Sequence, residues 1–214
     1  MIIMLKLVIF DLDGVLVDAC EWHRLALNEA LKEICNYEIS LSDHRSIFNG
    51  LPTRVKLEKL IEEGKIQQKD HDAIHKLKQK KTVEIINRSA DEREEKINLI
   101  MWLKEKNINV ACFTNSIRET ATLMLKKTGI YDMLELIITN EDVDKPKPDS
   151  EGYKKVLKHF NYTPERVMII EDSIKGICAA VDSGCRVFKV NNAEDVHIEN
   201  VKGFIYENFD TNGW

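Results

Sequence analysis

The feature that most constrains this chain is a series of short apolar runs, spaced so that the later ones alternate with segments of helical periodicity. Leu5–Phe10, Asn109–Phe113, Leu136–Thr139, Val167–Ile170 and Arg186–Val190 read as strands buried on both faces. Between the later runs lie stretches of crossover length: Asp91–Asn107, about 117–127 closed by Gly129, about 150–160, and about 174–183 closed by Gly184. The first of these opens on Asp91, Glu92, Glu94 and Glu95, acids that suit the positive end of a helix, and repeats Ile97, Ile100, Met101 and Leu103 at helical spacing. Such alternation predicts an α/β fold, a doubly wound and mostly parallel sheet with ligands at the carboxyl ends of its strands.

Residues 19–88 break the alternation. They hold helical patterns and no convincing strand: Trp22, Leu25, Ala26, Ala30 and Ile34 share one face, as do Leu57, Leu60 and Ile61, and then Ile74, Leu77, Ile85 and Ile86. The predicted division is therefore a core domain of residues 1–18 and 89–214 with an inserted helical cap of residues 19–88. A cap inserted directly after the first strand is expected to act as a lid over that strand's carboxyl end. Residues Asn208–Trp214 read as a loosely held tail.

Composition narrows the partners. With 43% hydrophobic residues, the 214-residue chain can bury a real core, and 31 Lys+Arg against 36 Asp+Glu leave a net charge of -5, which argues against a nucleic-acid partner. No apolar run approaches the roughly 18 residues that cross a bilayer. The N-terminal run is broken by Lys6 and ends in Asp11 instead of small residues, so it reads as a strand and not a leader, and no membrane partner is expected. Five cysteines without a C-x-x-C pair suit neither a disulfide framework nor a zinc cluster, which points to the reducing cytoplasm. No heptad stripe appears, and a monomer is expected.

Chemistry gathers at the strand ends. Asp11-Leu12-Asp13-Gly14 follows the first strand at once, and two carboxylates so close repel unless a cation lies between them or one holds a proton. Alone, the tetrapeptide reads equally as an Asx-turn. Polar clusters recur at other strand ends, however: Thr114-Asn115-Ser116, suited to phosphate oxygens at a helix start; Asp144-Lys145-Pro146-Lys147-Pro148-Asp149, a stiff loop presenting lysine; and Glu171-Asp172-Ser173. Asp11, Asp13, Glu171 and Asp172 are hard oxygen donors of the kind that suits Mg²⁺.

Taken in order, DLDGVLVD (11–18), FTNS (113–116), KPKPD (145–149) and IIEDSIKGICAA (169–180) resemble the haloacid dehalogenase superfamily, in the helical-cap branch of phosphoglycolate-phosphatase-like enzymes and β-phosphoglucomutase. The resemblance implies an Mg²⁺-dependent phosphatase acting on a small phosphorylated metabolite through an aspartyl-phosphate. It makes Asp11 the nucleophile and Asp13 the general acid and base. Asp11, the Asp13 carbonyl and Asp172 would be the metal ligands, with Glu171 a ligand or a partner behind them. Thr114 and the Asn115 backbone would bind the transferring phosphoryl group.

Of the two loop lysines the resemblance selects Lys145 as the charge-neutralising one and leaves Lys147 solvated. It also marks as substrate contacts His23, which by itself reads more often as a packing or surface residue on a helix face, and Arg54, in the loop Asn49–Arg54, which reads at least as well as a solvated arginine near a helix start. Lys76, Lys78, Lys80 and Lys81 read mainly as a solvated face. Cys112 reads as buried. The rival is a phosphomutase, disfavoured because Ala19 and Ile117 stand where the mutase has a hinge threonine and a phosphate-binding lysine. A non-catalytic binding protein on the same fold is weaker still, since it would be expected to have lost the acidic residues or the lysine.

Overall fold

A computed structural model describes residues 3–48 and 51–211, apart from the side chain of Arg45. Asn49 and Gly50 of the expected specificity loop, and the last three residues of the expected tail, lie outside the described residues. The chain separates into two compact units: residues up to Asp18 together with those from Asp91 onward, and Ala19–Ala90.

The first unit is built on a parallel sheet of five strands: β1 (Leu7–Phe10), β2 (Asn109–Phe113), β3 (Leu136–Ile138), β4 (Val167–Glu171) and β5 (Arg186–Lys189), in the order β3-β2-β1-β4-β5. Every residue of β1 is buried because a strand flanked on both sides and covered on both faces has no route to water. β3 and β5 are only half-buried, which corrects the expectation that all five runs are enclosed. They are the edges of the sheet. On one face Leu7, Ile9, Ala111 and Phe113 pack against Tyr153 and Val156 of α7 (Glu151–Phe160) and Ala179 and Ala180 of α8 (Ile174–Asp182). Each such buried aliphatic or aromatic side chain is worth about 1.5–3 kcal/mol, which fixes the strand register on which the site depends.

The remaining helices of this unit are α5 (Glu94–Glu105), α6 (Arg118–Lys127) and α9 (Ile198–Asn208). The sequence reading leaves α9 unassigned. It packs through Val201 and Ile205, while fully buried Lys96 of α5 donates to the carbonyls of Ala193 and Val196 just before it, each at 2.5 Å. The expected tail is also partly fixed: Phe209 is buried and the Asp210 N–H donates to the Ile3 carbonyl.

The second unit is helical: α1 (Cys20–Cys35), the single turn α2 (Leu41–Asp43) running into a π-helical turn at His44–Phe48, α3 (Thr53–Glu62) and α4 (His71–Ser89). Leu27, Leu31, Phe48, Leu57, Leu60 and Ile74 form its small core. Asn28 pins the chain after α1 by donating to the Ile39 carbonyl and accepting from its N–H. Within the lysine run of α4, Lys78 is buried and not solvated, contrary to expectation.

Candidate active site

Strand register brings the acidic motifs to one level. Phe10 pairs with Cys112 on one side and Ile170 on the other, and the Asp11 N–H donates to the Ile170 carbonyl, so Asp11 stands level with Phe113 and Glu171. β1 is where the strand order turns from one side to the other, the position at which open α/β sheets hold ligands. Past Asp11 the chain folds back on itself, with the N–H groups of Leu16 and Val17 donating to the Leu12 carbonyl and that of Gly14 to the Val17 carbonyl. Gly14 has φ +93, and a Cβ there would sit 2.2 Å from Oδ2 of Asp172. Only glycine allows both the turn and that approach.

Lys147 is the cation of this site. Its Nζ donates to Asp11 Oδ1 at 2.5 Å, to Glu171 Oε1 at 2.5 Å and to the Phe113 carbonyl at 2.8 Å, using all three ammonium hydrogens. It is buried beside the rings of Phe113 and Tyr153. Lys145, the lysine selected by resemblance, is exposed.

The reason lies in two clamps on the loop. The Asn115 side chain accepts from the Lys147 N–H at 3.0 Å and donates to the Lys147 carbonyl at 3.1 Å, fixing that peptide against the end of β2. Glu151, at the start of α7, accepts instead from the N–H groups of Asp144 and Lys145 and keeps that half of the loop outside. KPKPD contains two Lys-Pro pairs two residues apart, and the fold takes the second.

Glu171 is fully buried and saturated. Oε1 accepts from Lys147 and from the Tyr153 hydroxyl at 3.0 Å, while Oε2 accepts from the N–H groups of Asp172 and Ser173 and from Ser173 Oγ. Gly176 permits this, since a Cβ there would lie 1.8 Å from Glu171 Oε1. Asp13 Oδ2 accepts from Ser116 Oγ at 2.8 Å and Thr114 Oγ1 at 3.4 Å. Asp172 Oδ1 is buried with no hydrogen-bond partner.

The structure thus brings Asp11, Asp13, Thr114, Asn115, Glu171 and Asp172 together. Ser116 as a partner of Asp13, and Tyr153 as a partner of Glu171, were missed; Tyr153 follows the loop by only a few residues, which was the available signal. His23 and Arg54 belong to the helical unit, where His23 is half-buried and Arg54 exposed.

Electrostatics explain what the site lacks. Burial, reinforced by Glu171, Asp13 and Asp172 and opposed by Lys147, holds the Asp11 carboxyl well above the usual carboxylate range. Burial and then Glu171 push Asp172 up to about 7. Lys147 stays charged: burial works against it, but Asp11 and Glu171 outweigh burial and raise its pKa. One lysine does not offset four carboxylates. Asp11, Glu171 and Asp172 each place an oxygen within 4.8 Å of the others. That cluster, with the orphaned Asp172 oxygen, fits a hard divalent cation. Cys112 is buried beneath it, its thiol pushed well up by burial, in keeping with a packing role.

Residues 8–190 match the family model of haloacid dehalogenase-like hydrolases, and the chain belongs to that family of enzymes. A phosphorylated carbohydrates phosphatase of Thermotoga maritima is 28% identical over 183 residues, covering 84% of this chain and 82% of that protein. Among solved structures, CbbY of Rhodobacter sphaeroides in complex with phosphate aligns with TM-score 0.77 at 22% identity, over 87% of this chain and 86% of that one. β-Phosphoglucomutase of Clostridium difficile aligns with TM-score 0.78 at 20% identity, over 95% and 98%. Among the described residues, no helix is long and apolar enough to cross a membrane.

Proposed function

We propose that the chain is an Mg²⁺-dependent phosphatase that hydrolyses a small phosphorylated metabolite, a sugar phosphate or a similar phosphomonoester, through an aspartyl-phosphate on Asp11. The observation that carries this reading is a buried carboxylate at the end of the central strand, held by a buried lysine and ringed by further carboxylates. Asp11, the Asp13 main-chain carbonyl and Asp172 would hold the cation, which supplies positive charge against the phosphoryl oxygens. Glu171, with both oxygens occupied, holds Lys147 instead.

Asp11 attacks phosphorus while Asp13 gives its proton to the departing oxygen; Asp13 then takes a proton from the water that opens the acyl phosphate. Ser116 and Thr114 keep the Asp13 carboxyl at a fixed angle for both transfers. Lys147 sets the orientation of Asp11 and offsets charge as the phosphoryl group moves. Residues 19–88 are read as the cap domain. Ala19 and Ile117, which have no donor or acceptor side chains, support hydrolysis over phosphoryl exchange, and five cysteines outside any disulfide suit a cytoplasmic setting.

The test is phosphate release from a panel of phosphorylated metabolites with Mg²⁺ and with EDTA, alongside Asp11→Asn protein. Metal-dependent release by the wild type alone is expected. Release that survives chelation, or that Asp11→Asn retains, would overturn the proposal.

A further inference from the structure

At the edge of the sheet a groove of about 380 Å³ runs between the end of β5, at Phe188 and Lys189, and one side of α9, at Glu199, Gly203, Phe204 and Glu207. Its volume is that of a small-molecule pocket, and it shares no residue with the acidic cluster at β1. Phe188 and Phe204, both half-buried, give it an apolar middle, their ring centroids 4.9 Å apart.

Two features of α9 have no explanation within the fold. Gly203 sits in the helix interior, where glycine is a poor helix former, yet a Cβ there would meet nothing within 4 Å. What the missing side chain does is keep the middle of the groove open. Glu199 and Glu207 stand one on each side of it, both exposed, and among the described residues neither side chain makes a hydrogen bond or an ion pair. Eight residues of helix separate their Cα atoms by about 12 Å.

The rest of the lining narrows the occupant. Asp195, the third carboxylate, is spent on the N–H and side-chain amide of Asn191, and Lys189 is the one cation, so the groove is acidic on balance. A single metal ion needs oxygens gathered at one point, whereas these carboxylates stand at two ends with rings between them. The walls are held in advance: Lys96 donates to the carbonyls of Ala193 and Val196, and the Asn200 side chain to that of Asp195. Charge and shape together suit a chain with cationic ends and an apolar middle.

We propose that the groove between β5 and α9 binds a linear polyamine, with ammonium groups on Glu199 and Glu207 and the methylenes between them lying over Gly203 and against Phe188 and Phe204. Such a site is independent of the reaction at Asp11, and binding alone reads it.

Backbone-amide NMR of the full chain, titrated with spermidine at about 0.15 M salt, supplies the test. Saturable shifts are expected at Lys189, Glu199, Gly203 and Glu207, with affinity at least about tenfold weaker in Glu199→Gln and in Glu207→Gln, since each removes one charge-assisted contact. Butylamine, which reaches only one of the two carboxylates, should bind at least about tenfold more weakly than spermidine. Gly203→Leu should weaken binding by a similar factor while Tm stays at or above that of the wild type, because the new side chain fills the groove and suits the helix better than glycine.

No saturable shift at these residues, or wild-type affinity in either glutamate variant or in Gly203→Leu, overturns the proposal. So does butylamine or Mg²⁺ matching spermidine in affinity there, which would show that the groove reads charge without length.

Discussion

The two units answer their buried polar groups differently. In the sheet unit Lys147 spends its ammonium on two carboxylates and a carbonyl, and Lys96 spends its own on two carbonyls. In the helical unit His44 Nε2 has no hydrogen-bond partner, and most of the charges facing it are cationic. A buried charge answered by its own neighbours is scaffold, whereas a buried polar atom left over marks where something from outside is received. The sheet unit has such atoms too, Asn140 Oδ1, Arg186 Nε and Asp172 Oδ1, and at the acidic cluster the unanswered group is an acceptor. The unanswered atom of the helical unit is a ring nitrogen, and that of the acidic cluster is a carboxylate oxygen.

The sharpest way to break this comparison is at Asp11. Asp11→Asn should cut turnover by about a thousandfold or more while circular dichroism stays native; retention of a tenth of the activity removes Asp11 from the nucleophile role. Next, Lys147→Met should lower kcat by about a hundredfold and, by leaving buried carboxylates unanswered, cost about 3 kcal/mol in urea unfolding. Lys145→Met should stay within about twofold of wild type, as befits an exposed side chain. The reverse ranking would restore the lysine chosen by resemblance.

Asn115→Ala, which removes two hydrogen bonds of about 1 kcal/mol each from the Lys147 peptide, should lower kcat by about tenfold. A loss confined to KM would show that Asn115 meets substrate instead of holding the lysine.

The smallest effect concerns pH. Asp172 is raised to about 7 when folded but titrates near 4 unfolded, so the folded protein holds a proton that the unfolded chain releases between those values. Metal-free stability should therefore fall as pH rises from about 4 through 7, and Asp11 acts in the same direction. The Tm of metal-free protein should be a few degrees lower at pH 8 than at pH 5, with a shallower slope in Asp172→Asn and recovery on adding Mg²⁺. A Tm indifferent to pH would place these carboxylates in a wetter setting.

Much of the sheet was legible because buried strands write themselves as continuous apolar runs: the five strands fall within two residues of the expected ends. What escaped were relations that only packing creates. Its edge position left β3 half-exposed although Leu136-Ile137-Ile138 is as apolar as the central strands, while in β5 Arg186 and Lys189 mark an edge in the sequence itself. α9 carries exposed Gly203 in its interior, which weakens its helical pattern, and it is held by contacts that lie far off in the sequence, including the carbonyls taken by Lys96. Asp11, Asp13 and Asp172 were legible as motifs, but Lys147 was not. Its choice over Lys145 depends on Asn115, 32 residues away, reading one peptide of a loop that offers two equivalent lysines.

β1 lies at the middle of the sheet, paired over its whole length to β2 and to β4. No partial opening that peels off an edge strand or an outer helix reaches the backbone beneath Asp11, so the amides of Val8, Ile9 and Phe10 should exchange with solvent only when the entire unit unfolds. Asp11, the proposed nucleophile, is thereby tied to the central strand, and heat or denaturant that leaves any of the sheet standing should leave the position of Asp11 standing with it.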